Sequence, residues 1–224
     1  MSLLGTTASV LAPPHRAGRP FIAGGAALAA FGLFTWHPLI WTGLAAALVC
    51  WFFFRDPERV PSPIPGAILA AADGRVVRVE LAIPPPELGI GEAPRWRIAT
   101  FLSVLNVHVN RVPATATVTA ITYRKGRFLN AADPAAGEAN ERNGIALRLP
   151  GGQDMAVVQI AGLIARRILC DLHNGESVTA GARFGIIRFG SRTDLYLPSE
   201  VLPVVSVGQT AIGGETVMAV LQGV

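Results

Sequence analysis

Lysine is almost missing from this chain. Of its 19 basic residues only Lys125 is lysine; the rest are arginine. That shortage removes several chemistries at once. Pyridoxal phosphate needs a lysine amine, and Lys125 stands alone in the turn-like YRKGRF. Lipoyl and biotinyl carriers need a lysine at a hairpin tip; VTAGARFGIIR has some of that pattern and no lysine. A phosphate loop needs its lysine and a following helix, and GIGEAPRW has neither. Cysteine is nearly as scarce. Cys50 lies in an apolar run and Cys170 ends the strand-like LIARRILC, with no CxxC and no metal-ligand spacing. Two reduced, buried thiols are expected, which fits a domain facing the cytosol. No G-x-S-x-G elbow occurs. Charged residues make up only 15%, and the net charge of +4 is scattered. No basic stripe for nucleic acid results, and a weak positive balance suits an anionic membrane surface better.

What the chain has instead is apolar. Hydrophobic residues form 51%, too many for disorder. Residues 21–54, FIAGGAALAAFGLFTWHPLIWTGLAAALVCWFFF, contain His37 as their one strongly polar residue. A single straight helix of that length would span about 50 Å, against a hydrocarbon core of about 30 Å. Pro38 disfavours helix at the residue before it, so TWHP predicts a break between two arms. Arg16 and Arg19 precede the run, and Arg55 and Arg59 follow it. Basic flanks keep both ends cytoplasmic, which a hairpin, spanning or re-entrant, satisfies and a single pass does not. No small-residue cleavage site precedes RDPER, as a secretory signal would require. The expected parts are a tail over 1–19, a membrane hairpin over 20–54 and a stiff, proline-rich linker over 55–66. One globular domain over 67–224 follows. His37 would sit at an interfacial tip beside Trp36 and Trp41. The expected location is the cell membrane, with the domain on its cytoplasmic side.

From residue 67 the pattern is β. AILAAADGRVVRVEL reads as strand, Asp-Gly turn, strand. PRWRIATFLSVLNVHVNRVPATATVTAITYRKGRF alternates and is rich in Val, Thr and Ile. NAADPAAGEANERN is the one clear loop. Short strands between Gly and Pro turns predict a mainly β domain, a barrel and sandwich hybrid with hammerhead character, behind the helical hairpin.

Candidates for chemistry are few. His15 lies in the tail, His37 in the hairpin and His173 in the loop-like DLHNGES. His108, in NVHVNRVP, reads on alternation alone as a core or face histidine. Asp73 of AADG reads as a turn residue. Asn140-Glu141-Arg142 and RDPER read as charged surface segments. No borrowed electron sink is visible. Gly190-Ser191, the only Gly-Ser pair, offers a built-in one. The serine hydroxyl can attack the Gly190 carbonyl and replace the peptide bond by an ester. Loss of the Ser191 Hα expels the ester, and the resulting dehydroalanine hydrolyses to a pyruvoyl group and ammonia. Glycine suits the acyl position, because it does not block attack and tolerates strained backbone. A base and oxyanion donors are needed, commonly a histidine oriented by an aspartate.

Six segments, FFFRDPERVPSP, AADG, LSVLNVHVNRVP, NERN, QIAGLIARRILC and GIIRFGSRTDLYLP, resemble in that order the phosphatidylserine decarboxylase proenzymes of the short bacterial and archaeal type. The resemblance runs from about residue 20 to 205. Long members carry Leu-Gly-Ser-Thr at the cleavage site; the Phe-Gly-Ser-Arg here keeps the Gly-Ser pair. The resemblance implies self-cleavage into a β chain, 1–190, and an α chain, 191–224, with Ser191 becoming the pyruvoyl cofactor. Asp73 matches the family's aspartate and His108 its triad histidine. Long members have a second histidine where Arg111 stands, so either His108 serves both maturation and decarboxylation or Arg111 shares the load. The pyruvoyl carbonyl would condense with a serine headgroup amine and draw off electrons as CO2 leaves. His108 would protonate the carbanion and phosphatidylethanolamine would be released. Arg111, Arg192, Arg55 and Arg59 are candidates for the headgroup phosphate or the lipid surface. The implied partners are the membrane phospholipid and the two halves of the cut chain, with homo-oligomers left open. Two rival readings stand beside this one: a non-catalytic membrane-anchored β-barrel or hammerhead protein, and a decarboxylase of another serine lipid such as archaetidylserine.

Overall fold

The computed structural model describes residues 11–131, 133, 136–163, 167–188 and 190–221. Most of the expected tail therefore lies outside the described residues. The chain divides into two units, Met1–Glu58 and Arg59–Val224.

The first unit is a helical hairpin. A 3-10 turn over Arg16–Gly18, capped by His15 Nδ1 accepting from the Ala17 amide, leads into α1 (Arg19–Phe34). α2 (Pro38–Phe53) follows after three residues. Each helix has a proline in its first turn, where the missing N–H costs nothing and φ is already helical. The break thus falls at the TWHP segment, as predicted. Small residues form the seam between the two helices. A Cβ on Gly25 would stand 2.7 Å from the Ala47 amide nitrogen, and one on Gly43 would collide with the Ala29 backbone. Backbones that close pack by van der Waals contact, the means by which helices associate without a hydrophobic drive. Phe31, Phe34, Trp36, Trp41 and Leu48 point outward and are exposed. By length and composition, the stretch Arg16–Phe34 is apolar enough to cross a membrane, and Pro38–Phe53 is a shorter apolar helix.

The second unit is mainly β. Its strands are β1 (Ala67–Leu69), β2 (Gly74–Ala82), β3 (Arg95–Leu102), β4 (Val109–Arg111), β5 (Ala116–Arg124), β6 (Arg142–Arg148) and β7 (Asp154–Ala161). They continue with β8 (Ile168–Cys170), β9 (Ser177–Val178), β10 (Arg183–Ile187), β11 (Ser191–Tyr196), β12 (Thr210–Ala211) and β13 (Val217–Val220). Eight of them form one antiparallel sheet in the order β12-β2-β3-β11-β7-β6-β5-β9. A second sheet runs β4-β10-β8, and β1 pairs with β13. The core lies between these layers. Ile98, Ile145, Val157 and Leu195 of the large sheet meet Phe184 of β10 and Met218 of β13. A smaller apolar cluster, including Leu88, Val158, Ile160 and Tyr196, covers the opposite face. β11 therefore lies mid-sheet with all six residues buried.

The boundary between the units falls inside the proline-rich stretch, and its second half is fastened to the β unit. Arg59 pairs with Asp73 at 2.7 Å, and the Val60 amide donates to Glu215 Oε1 at 3.1 Å. A segment with no ladder of its own is held by side chains instead.

Candidate active site

The three-stranded sheet ends at Ile187 and the eight-stranded sheet takes up the chain at Ser191. Gly190-Ser191 is the joint between them. Gly190 has φ +65°, in the left-handed region that glycine enters without steric cost. A Cβ there would meet nothing within 4 Å, so conformation, not crowding, calls for glycine. Ser191 is fully buried and pairs on both sides, with Leu102 of β3 and Ala161 of β7. Its Oγ has no hydrogen-bond partner among the described residues. Burying a hydroxyl unpaired costs about 1–3 kcal/mol, and such groups in native folds mark strain or chemistry.

His108 stands just before β4 and is fully buried. Its Nδ1 lies 3.0 Å from the Asn106 carbonyl oxygen, which can only accept, so Nδ1 carries the proton. Nε2 keeps its lone pair and accepts from the Gly190 amide at 3.4 Å. The ladder explains the meeting. β4 pairs with β10, and the Ile187 amide donates to the His108 carbonyl at 3.4 Å. The strand that delivers the chain to the joint thus also delivers a neutral imidazole, base side first.

Asp73 lies between β1 and β2. Its Oδ1 accepts from the Gly213 amide at 2.8 Å and its Oδ2 from Arg59 Nη2 at 2.7 Å. The Leu69 amide donates to the Pro113 carbonyl, and the Arg111 amide to the Ala71 carbonyl. These bonds run the segment ahead of Asp73 antiparallel to the end of β4 and the residues after it. The Asn106 carbonyl at His108 Nδ1 is a backbone group that no sequence signal announces.

Each candidate arginine has partners of its own. Arg111 is buried and turns Nη1 to the Gly181 carbonyl, 3.0 Å away. Arg192 follows Ser191 and therefore points from the other face of β11. There Nε and Nη2 grip both oxygens of Asp194 at 2.7 and 2.9 Å. Arg55 belongs to the helical unit, where Nη1 donates to the Phe52 carbonyl and the guanidinium lies 4.0 Å over the Phe52 ring.

Asn140 and Arg142, read from the sequence as surface loop, are buried at 1% and 5% exposure. Arg142 bonds Glu87. Burial pushes the Glu87 carboxyl up most strongly, but the Arg142 hydrogen bond, a backbone hydrogen bond and the charges of Arg142 and Arg124 together hold it below its ordinary value. On the Ser191 face a buried amide row crosses the sheet. Asn143 Nδ2 donates to Gln159 Oε1 at 2.9 Å, and Gln159 Nε2 donates to Asn110 Oδ1 at 2.8 Å. Asn110 Nδ2 is buried without a partner among the described residues.

The joint brings together a carbonyl, an unpaired hydroxyl and a basic nitrogen, the set a serine needs to attack its own upstream peptide bond. Those residues fit a keto group made in place at position 191.

Comparison with known proteins gives one answer. The sequence profile of the family described as Phosphatidylserine decarboxylase matches residues 46–219. A protein of Granulibacter bethesdensis is 63% identical over 219 residues, covering 98% of this chain and 90% of its own length. One of Gluconacetobacter diazotrophicus is 59% identical, covering 98% of this chain and 99% of its own. One of Mycobacterium bovis is 49% identical, covering 97% and 94%. All three are named phosphatidylserine decarboxylase proenzyme.

Proposed function

This chain belongs to the phosphatidylserine decarboxylase family and is a carboxy-lyase, and we propose that it builds its own pyruvoyl group at Ser191 and acts on phosphatidylserine at a membrane. The cut begins at His108. Nε2 takes the Ser191 hydroxyl proton as Oγ adds to the Gly190 carbonyl carbon. The Gly190–Ser191 C–N bond then breaks, the freed Ser191 amine takes a proton, and an ester remains. Removal of the Ser191 Hα expels the Gly190 carboxylate and leaves a carbon–carbon double bond at residue 191. Addition of water and loss of ammonia complete the pyruvoyl group. When formed, that group supplies an electron-withdrawing carbonyl able to bind the serine amine and take up the electron pair left as CO2 departs.

The chain's own residues do the rest. His108, whose Nε2 meets the adjoining Gly190 amide, returns a proton to the carbon that lost CO2. Arg111 turns its guanidinium to Gly181, which favours one histidine for both steps. β3 and β7 hold residue 191 from both sides, so the reacting carbon is fixed before substrate arrives. After the cut the α chain keeps β11, β12 and β13, whose partners β3, β7, β2 and β1 all belong to the β chain. The two chains remain one heterodimer. The helical hairpin is the membrane anchor. Its outward face is apolar, tryptophans sit at its tip, and Arg16, Arg19 and Arg55 flank its open end, a pattern that favours the cytoplasmic side. Phosphatidylserine then meets the site at the interface and leaves as phosphatidylethanolamine.

One observation carries this reading: a buried hydroxyl without a partner, following a left-handed glycine whose amide faces His108 Nε2. In vesicles containing phosphatidylserine, the wild-type protein is expected to release CO2 and to lose that activity after borohydride reduction. Ser191→Ala is expected to release none; release at the wild-type rate by this variant would refute the reading.

A further inference from the structure

β7 touches both sides of the bond to be cut. Ala161, its last residue, pairs with Ser191. Gly162, the next residue, underlies the carbonyl oxygen of Gly190. A Cβ at Gly162 would stand 2.1 Å from that oxygen, 3.0 Å from its carbon and 3.2 Å from the Ala131 Cβ. Only a hydrogen fits there.

The seat is braced from behind. Asn140, 1% exposed, accepts from the Leu129 amide at 2.9 Å. Its Nδ2 donates to the Leu129 carbonyl at 2.8 Å and to the Ala161 carbonyl at 2.7 Å. One amide side chain therefore ties the end of β7 to the segment that carries Ala131. Arg192 pulls on the same segment, with Nη1 3.3 Å from the Ala131 carbonyl and 3.2 Å from that of Asp133.

We propose that Gly162 is a positioning residue for self-cleavage: it seats the Gly190 carbonyl at the angle from which the Ser191 hydroxyl attacks, and Asn140 fixes that seat. The proposal rests on the maturation reading above and adds residues to it. The geometry sets the size of the effect. A methyl at 162 forces the oxygen from 2.1 Å to at least 3.0 Å, roughly the 1 Å misplacement that costs about 10²-fold in rate. Losing both Asn140 donors loosens the seat without filling it, a smaller loss of about tenfold.

The test follows the appearance of fragments 1–190 and 191–224 in a pulse-chase of full-length protein synthesised into phospholipid vesicles. Gly162→Ala is expected to mature about 10²-fold more slowly than wild type and Asn140→Asp about tenfold. Hydroxylamine intercepts an ester and not a peptide bond, so the hydroxamate it leaves on Gly190 reads the acyl shift alone. That yield at early times should fall with the cut in both variants, whereas a loss of global stability with an unaltered joint would leave it unchanged in the folded fraction. Resistance to limited proteolysis, measured with Ser191→Ala also present, identifies the folded fraction. If Gly162→Ala does not fold, Asn140→Asp decides. Wild-type rates of cutting in whichever variant folds would overturn the proposal. A wild-type chain that is never cut would instead overturn the maturation reading itself.

Discussion

The two faces of β11 differ in how they treat buried polar groups. On one face Arg192 and Asp194 are as buried as any leucine, yet the charges of that pair are answered. Two guanidinium nitrogens meet two carboxylate oxygens, Arg97 stands 3.8 Å from Asp194, and the remaining Arg192 nitrogen caps backbone carbonyls. On the other face the Ser191 hydroxyl and the Asn110 amide are equally buried and lack partners among the described residues. Polar burial is therefore not by itself a sign of function. A satisfied group holds the fold; an unsatisfied one, here next to a glycine whose amide meets His108 Nε2, is where chemistry is to be sought.

Substitutions on each face can break that contrast. The largest effect is expected on the reactive face. His108→Ala should leave the chain uncut, with maturation slowed by at least the 10²–10⁴-fold that a positioned base contributes, while the fold survives. Electrophoresis of the purified protein checks this, and an intact chain that still melts cooperatively is the expected result. On the satisfied face the effect is on stability. Asp194→Asn leaves the Arg192 charge buried without its counterion, which costs about 3–5 kcal/mol, read as a lower urea midpoint in the uncut Ser191→Ala background. Replacing both partners at once, Arg192→Met with Asp194→Leu, should cost less than the single change. Arg59→Ala removes a charge-assisted bond to Asp73 between side chains only 10% and 14% exposed, an expected loss of about 1.5–3 kcal/mol in the same assay.

The smallest effect is one of pH. Arg142 holds the Glu87 carboxyl below its ordinary 4.5 in the folded state. A depressed carboxylate stabilises the fold above its unfolded value and loses that contribution as pH falls through the folded value. Glu87→Gln should therefore melt slightly lower than wild type at neutral pH, and the gap should close below about pH 4.5. A gap that widened on acidification would contradict the assignment.

The same contrast explains what the sequence could and could not reveal. The hairpin was legible because its residues are apolar on every side and Pro38 stands where one helix would be too long. The mainly β unit was legible from alternation and turn chemistry. Gly190-Ser191 stood out because serine is one of few routes to an electron sink in a chain with one lysine. At β11 alternation is no guide to burial, because the polar alternates Arg192 and Asp194 are sealed against a second apolar layer. Charge misleads at Asn140 and Arg142, which read as a surface segment and are buried. Gly162 and the Asn106 carbonyl act through backbone proximity, which a row of letters does not carry. A glycine ending a strand-like run, as in QIAG, is the one signal from which the close approach at Gly162 could have been found.

The central claim concerns one residue, and the intact mass of the short fragment tests it most directly. If Ser191 turns its hydroxyl on the Gly190 carbonyl and ends as a keto group, the 191–224 chain weighs one ammonia less than the same segment beginning with serine, and sodium borohydride adds two hydrogens to it. A single uncut chain, or a 191–224 fragment with an unmodified serine at its head, would contradict the account.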